Sequence, residues 1–139
     1  MKFLTVREAI SINSFLIKKY SPEEQLGVKD MSSLESAVYR PQTTAFQKPA
    51  YQNIFEMAAA LLESLAKNHP FHNANKRTAF TAMVTFLFYN ELIFVMDQKK
   101  AEDFVVDVVN HKYSFEEIAV VIEDHCQKKS KTAIEPSQP

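Results

Sequence analysis

The sequence predicts an all-α fold, a bundle of five to six helices around one buried central helix. Three observations carry that reading. The 139-residue chain contains a single glycine, where average usage gives roughly ten for this length. Apolar residues recur at helical spacing in one segment after another. Three capping-box pairs, Thr5 with Glu8, Ser32 with Glu35 and Ser114 with Glu117, each precede an amphipathic run.

The elements follow in order. Thr5 opens the first helix, with Ala9, Ile10, Ile12, Leu16 and Ile17 as its apolar face and Lys18 and Lys19 at the cation-favouring end. Tyr20 to Gly27 reads as a loop. The Ser32–Glu35 box opens a short helix that stops before Pro41. Residues 41 to 50, PQTTAFQKPA, read as irregular. A long helix from Asn53 to Lys67 carries Ile54, Met57, Ala58, Leu61, Leu62 and Leu65. His69-Pro70 interrupts it. The next helix, Ala74 to Asn90, is apolar on almost every side, which marks a buried central helix. Leu92 to Met96 suits a short extended piece. Asp97 caps a helix with Ala101, Phe104, Val105 and Val108 inward, and Ser114 opens the last, with Ile118, Val121 and Ile122 inward. From Lys128 the chain turns polar. The domain expectation is therefore one unit over 1–127 and a disordered polar tail over 128–139.

Composition excludes several functions. Gly27 alone cannot supply a glycine-rich phosphate loop, a dinucleotide loop or a nucleophile elbow. A net charge of −1 gives no bulk attraction to nucleic acid. No run is long and apolar enough for a membrane span, and the start has no signal-peptide core. One cysteine, Cys126, forms no internal disulfide. A cytoplasmic protein is expected, with no direct nucleic-acid or membrane partner.

The chemistry concentrates in residues 69–78, HPFHNANKRT. This is a polar loop feeding the first turn of the most buried helix. A helix start leaves backbone amides unpaired and carries partial positive charge, so it is a ready anion site. Lys76 and Arg77 add two cations, Arg as a planar bidentate donor and Lys as a point charge. Asn75 offers an amide donor, and His69 an imidazole that can accept or donate a proton. A base beside an anion hole suits acyl or phosphoryl transfer. Asn73 and Arg77 share a face if both are helical. The plainer alternative makes Asn73 an N-cap, Lys76 and Arg77 a solvated first turn, and His69 a loop residue. His69 and His72 have H-x-x-H spacing with Glu63 one helix back, a weak zinc pattern without a third clear ligand. Thr78, Thr81 and Thr85 on the central helix, and Cys126 near the end of the last one, read as packing.

The order of residues in HPFHNANKRT resembles the signature of the Fic/Doc family, H-P-F-x-D/E-G/A-N-G/K-R. Lysine before the arginine looks like the death-on-curing (Doc) branch, where AMP-transferring members usually carry glycine. GVKDMSSLESAVYRPQ, from Gly27 to Gln42, and IFEMAAALLESLAKNHP, from Ile54 to Pro70, are similar to further family segments. The resemblance spans residues 4 to 125. It implies the toxin of a toxin–antitoxin system, a kinase that transfers the ATP γ-phosphate to a threonine of elongation factor Tu and blocks translation. It implies His69 as general base, Asn75, Lys76 and Arg77 as phosphate ligands, with Arg77 also catalytic, and Phe71 as the loop anchor. Residues 41 to 50 fall where the family carries a flap that positions the target. ATP and Mg²⁺ are the implied cofactors. The implied partner is an antitoxin whose C-terminal segment is disordered alone and folds into an apolar groove near the motif or flap. One position departs: Asn73 stands where the family has Asp or Glu, a metal ligand. Three explanations stay open: weak natural activity, Mg²⁺ held by ATP and water, or an attenuating Asp-to-Asn change. AMP transfer of the Fic type, or a binding protein that kept the fold and lost catalysis, are the alternatives.

Overall fold

A computed structural model describes residues 1–130. Helix α1, Val6–Tyr20, starts at the expected capping box: Thr5 Oγ1 accepts from the Glu8 amide at 3.1 Å and the Glu8 carboxylate accepts from the Thr5 amide at 2.9 Å. Helix α2, Met31–Tyr39, differs in its cap. Asp30, not Ser32, closes it, accepting from the Ser33 amide at 3.1 Å and the Ser33 hydroxyl at 2.9 Å. A carboxylate is the stronger acceptor for a first-turn amide, so Ser32 falls inside the helix. A 3₁₀ turn, Arg40–Gln42, follows, with Pro41 near its start, where a missing N–H costs little.

The stretch expected to be irregular folds into a small antiparallel hairpin. Strand β1, Thr44–Ala45, pairs with β2, Lys48–Pro49. The two loop residues, Phe46 and Gln47, both have positive φ, 53° and 65°. That is the twist-compatible geometry of a two-residue hairpin loop, built here without glycine. The sequence signal was missing for that reason.

Helix α3, Ile54–Asn68, is capped by Asn53, and α4, Asn75–Tyr89, runs against it. The buried centre is this pair rather than α4 alone. Along α3, Ala58 to Leu62, Leu65 and Ala66 are inaccessible, as are Ala79, Ala82, Met83, Phe86 and Leu87 on α4. The alanines let the two helices approach closely. Around the pair, α2 and α6 pack on α3, and α1 on α4. Helix α5, Gln98–Val109, touches both, and α6 is Phe115–Asp124. Asp97 and the Ser114–Glu117 box cap them as expected.

Strand β3, Leu92–Phe94, pairs with β4, Cys126–Lys128, in register Leu92 to Lys128. The last helix therefore ends at Asp124, and Cys126 lies in a strand, not in the helix. Lys128 and Lys129, expected at the head of the polar tail, are held: the Lys129 amide donates to the Glu91 carbonyl at 2.9 Å, and its ammonium sits 3.8 Å from the Phe88 ring centroid. Residues 131–139 of the expected tail lie outside the described residues. Among those described, no helix is long and apolar enough to cross a membrane.

Candidate active site

The loop between α3 and α4 is built from strained and clamped backbone. His69 ends α3 in the left-handed region (φ 48°, ψ 55°), and Ala74 precedes α4 there too (φ 60°, ψ 32°). Non-glycine residues hold such conformations only when their surroundings over-determine them. Three sets of contacts do so. The segment after α1 pairs with the loop: the amides of Lys29 and Asp30 donate to the Pro70 carbonyl at 2.8 and 3.1 Å, and His72 donates to the Gly27 carbonyl at 3.1 Å. Gly27, at φ 112°, is the residue that can make that bend. Asn75 closes the loop from within, its Oδ1 accepting from the Phe71 amide and its Nδ2 donating to the Phe71 carbonyl, both at 2.9 Å. From α1, Asn13 donates through Nδ2 to the Asn73 carbonyl at 2.9 Å and the Thr78 hydroxyl at 3.1 Å. Phe71 itself is 1% exposed and plugs the loop into the core.

The mouth of α4 is left open. The first bond into the helix runs from the Thr78 amide to the Ala74 carbonyl at 2.9 Å. Amides before it have no acceptor within the helix. Thr5, Asp30, Asn53, Asp97 and Ser114 cap their helices with side chains, whereas Ala74 has none to offer. The positive end of a buried helix therefore faces a hollow of about 370 Å³.

His69, His72, Asn73, Asn75, Lys76 and Arg77 all line that hollow. The sequence reading is altered in three details. Asn73 precedes the helix, so it shares no helical face with Arg77 and is not the N-cap. Its Nδ2 donates to the Gln25 carbonyl at 3.0 Å. Both ends of the Asn75 amide serve the loop, so its first task is to shape the amide nest. The Arg77 guanidinium lies 4.7 Å from the Tyr20 ring centroid, which orients it from the end of α1.

Two lining residues were not visible in the sequence. Ser21 and Glu24, from the loop after α1, face the same hollow. Glu24 is the one carboxylate lining it among the described residues. No spacing rule connects it to residue 69; only the packing of α1 on α4 brings it in. Asn13 was equally hidden, read as an ordinary residue of an amphipathic helix. The zinc pattern does not assemble. Glu63 pairs with Arg40 at 2.8 Å and Lys67 at 3.3 Å, and no group of three or more metal-binding side chains forms among the described residues. Cys126 is half-buried, and burial, with the charge of Glu123, pushes its thiol up to about 11, so it is no nucleophile at neutral pH.

A helical domain with this loop and helix mouth is what the Fic/DOC family describes, and residues 3–87 match that family; the chain belongs to it. Among its relatives is the "Toxin Doc" of Mycolicibacterium smegmatis, 41% identical over 97 residues, 68% of this chain and 75% of that protein. The "Protein kinase doc" of Escherichia phage P1 is 29% identical over 122 residues, 86% of this chain and 91% of that one.

Proposed function

We propose that this protein is the toxin of a toxin–antitoxin pair, a Doc-type kinase that phosphorylates a threonine of elongation factor Tu at the expense of ATP and so blocks translation. The observation that carries the reading is one hollow in which an imidazole, two cations and the uncapped start of a buried helix converge. The names of the two relatives, a toxin and a protein kinase, point the same way.

The residues divide the work as follows. The amides of the first turn of α4 receive the terminal phosphate oxygens, with Lys76 and Arg77 offsetting charge that develops during transfer. Asn75 holds those amides in place and has one N–H to spare for an oxygen. His69 takes the proton from the target hydroxyl. The hydroxyl oxygen bonds to the γ-phosphorus, the β–γ P–O bond breaks, and ADP leaves. Asn73 Oδ1 and the Glu24 carboxylate are the oxygen donors that fit Mg²⁺, which when bound neutralises phosphate charge; one carboxylate plus substrate phosphates is an ordinary Mg²⁺ set. The β1–β2 hairpin, with Phe46 fully exposed at its tip, presents an apolar grip for the target segment. The protein works in the cytoplasm, and its antitoxin blocks it by folding a disordered C-terminal segment onto the surface beside this site.

The test is label transfer from γ-³²P-ATP to elongation factor Tu. The wild type labels it, with a mass gain of about 80 Da rather than about 329 Da for AMP transfer. His69→Ala loses the labelling at least a hundredfold while ATP affinity stays within a few-fold. Undiminished labelling by His69→Ala would overturn the assignment of the base.

A further inference from the structure

Ser21 is the one hydroxyl-bearing residue that lines the hollow at the mouth of α4 among the described residues. Nothing in transfer to a separate target uses it. Its backbone is pinned on both sides. The Ser21 amide donates to the Ile17 carbonyl at 2.8 Å, closing α1, and its carbonyl accepts from the Glu24 amide at 2.9 Å in the turn that follows. Pro22, inside that turn, has its φ fixed by its own ring. One residue back, the Tyr20 ring centroid lies 4.7 Å from the Arg77 guanidinium, which ties the end of α1 to the first turn of α4. The side chain is not tied down in this way: Ser21 is half-buried, and its hydroxyl makes no hydrogen bond among the described residues. Thr78, the nearest hydroxyl along α4, is inaccessible and held by Asn13.

A hydroxyl that shares one hollow with an imidazole, two cations and an uncapped helix start meets the needs of a phosphoryl acceptor. We propose that Ser21 is a phosphorylation site modified in cis: with no target in the hollow, the protein transfers the γ-phosphate of ATP to its own Ser21, and the phosphoserine then plugs the mouth of α4. The inference rests on the phosphoryl-transfer reading of this hollow. In the step, Ser21 Oγ bonds to the γ-phosphorus, His69 takes the hydroxyl proton, the β–γ P–O bond breaks and ADP leaves. Acceptor and base belong to one chain, so no encounter between molecules is needed. The product is held where it forms. Phosphoserine carries about −2 charge near neutrality. Lys76, Arg77 and the first-turn amides face it, against the single carboxylate of Glu24. It occupies the place of the terminal phosphate of the nucleotide, so the modified chain no longer takes up ATP. The protein thereby limits its own activity when its target is scarce.

The full chain incubated with ATP and Mg²⁺ in the absence of any target, followed by intact mass and peptide mapping, tests this. The wild type is expected to gain about 80 Da on the peptide that contains Ser21, with a rate constant unchanged over about a tenfold range of protein concentration. His69→Ala and Ser21→Ala should lose the gain, and Ser21→Thr, which keeps a hydroxyl, should retain it. Preincubation with ATP should lower later labelling of elongation factor Tu about fivefold or more in the wild type, and leave Ser21→Ala at the level of its own untreated sample. A labelled target with no gain on Ser21 would overturn the proposal and leave the kinase reading standing. A gain on Ser21 with an unlabelled target would remove the target and keep the site. A rate constant that rises in proportion to protein concentration would overturn transfer in cis. If neither Ser21 nor the target is modified, both readings fall.

Discussion

Asn73 replaces a negative oxygen with a neutral one at the mouth of α4. In the proposed site its carbonyl oxygen would be the Mg²⁺ ligand, its amide nitrogen being tied to Gln25, and a hard dication prefers a charged donor. Asn73→Asp is expected to raise Mg²⁺-dependent transfer several-fold, read as turnover against Mg²⁺ concentration. Equal or lower turnover would show that Asn73 is not a deficient ligand. A second residue makes a claim about stability. Thr81 on α4 is 3% exposed, and its hydroxyl has no hydrogen-bond partner among the described residues. A buried hydroxyl left without a partner costs free energy that its hydration supplied when unfolded. Thr81→Val keeps the shape and removes that cost. It should raise stability by about 1 kcal/mol, measurable by urea denaturation, and a loss of stability would reveal a partner for the hydroxyl. Thr78, one turn earlier, does not share this expectation, because its oxygen accepts from Asn13.

Between elements, a polar assembly outside the candidate site surrounds Arg40. Its guanidinium donates to the Tyr51 hydroxyl, the Glu63 carboxylate and the Ser64 hydroxyl, each at 2.8 Å. It joins the chain on both sides of the hairpin to the middle of α3, and lies 5.5 Å from the Phe115 ring of α6. Burial pushes the Glu63 carboxyl up, but the Arg40 hydrogen bond and the charges of Arg40 and Lys67 outweigh it and hold it below the usual carboxylate range. The unfolded chain therefore binds this proton more readily than the folded one. The stabilisation is complete above the ordinary glutamate range and is lost as pH falls through the lower, folded value. Glu63→Gln should cost about 2 kcal/mol near neutrality, with the difference from wild type shrinking in acid. A gap that stays constant from pH 7 down to pH 3 would show that the charge of Glu63 adds nothing to folding. The hairpin that this assembly anchors presents Phe46 to solvent, so the latch fixes the root of the element and leaves its tip to meet a partner.

At the scale of the molecule, the α3–α4 pair is the central post, and the candidate site gathers around the turn between its two members. The post is held from outside by the small β3–β4 sheet as well as by helices. Phe94, 8% exposed, lies under that sheet, with its ring edge-on to Phe80 at 5.7 Å. Ending the chain after His125 would remove β4 and uncover this ring. The expected result is a stability loss of about 2 kcal/mol, with the lower unfolding midpoint seen by circular dichroism. An unchanged midpoint would mean that β4 adds nothing to the core.

The sequence by itself determined the six helices, most of their starts and the motif. Local capping chemistry and the 3.6-residue period are properties of neighbouring residues, so Thr5, Asp97 and Ser114 announce their helices without reference to the rest of the chain. His69, Lys76 and Arg77 stand close together in the chain and were legible as a unit for the same reason. Only the tertiary structure decided the rest: the Asp30 cap against its rival Ser32, the glycine-free hairpin, and the β4 strand whose pairing partner lies more than thirty residues away in sequence. It also brought Glu24 to the hollow and Asn13 to the loop. These depend on which helices lie side by side, and a long-range contact leaves no periodic trace in the segments that make it.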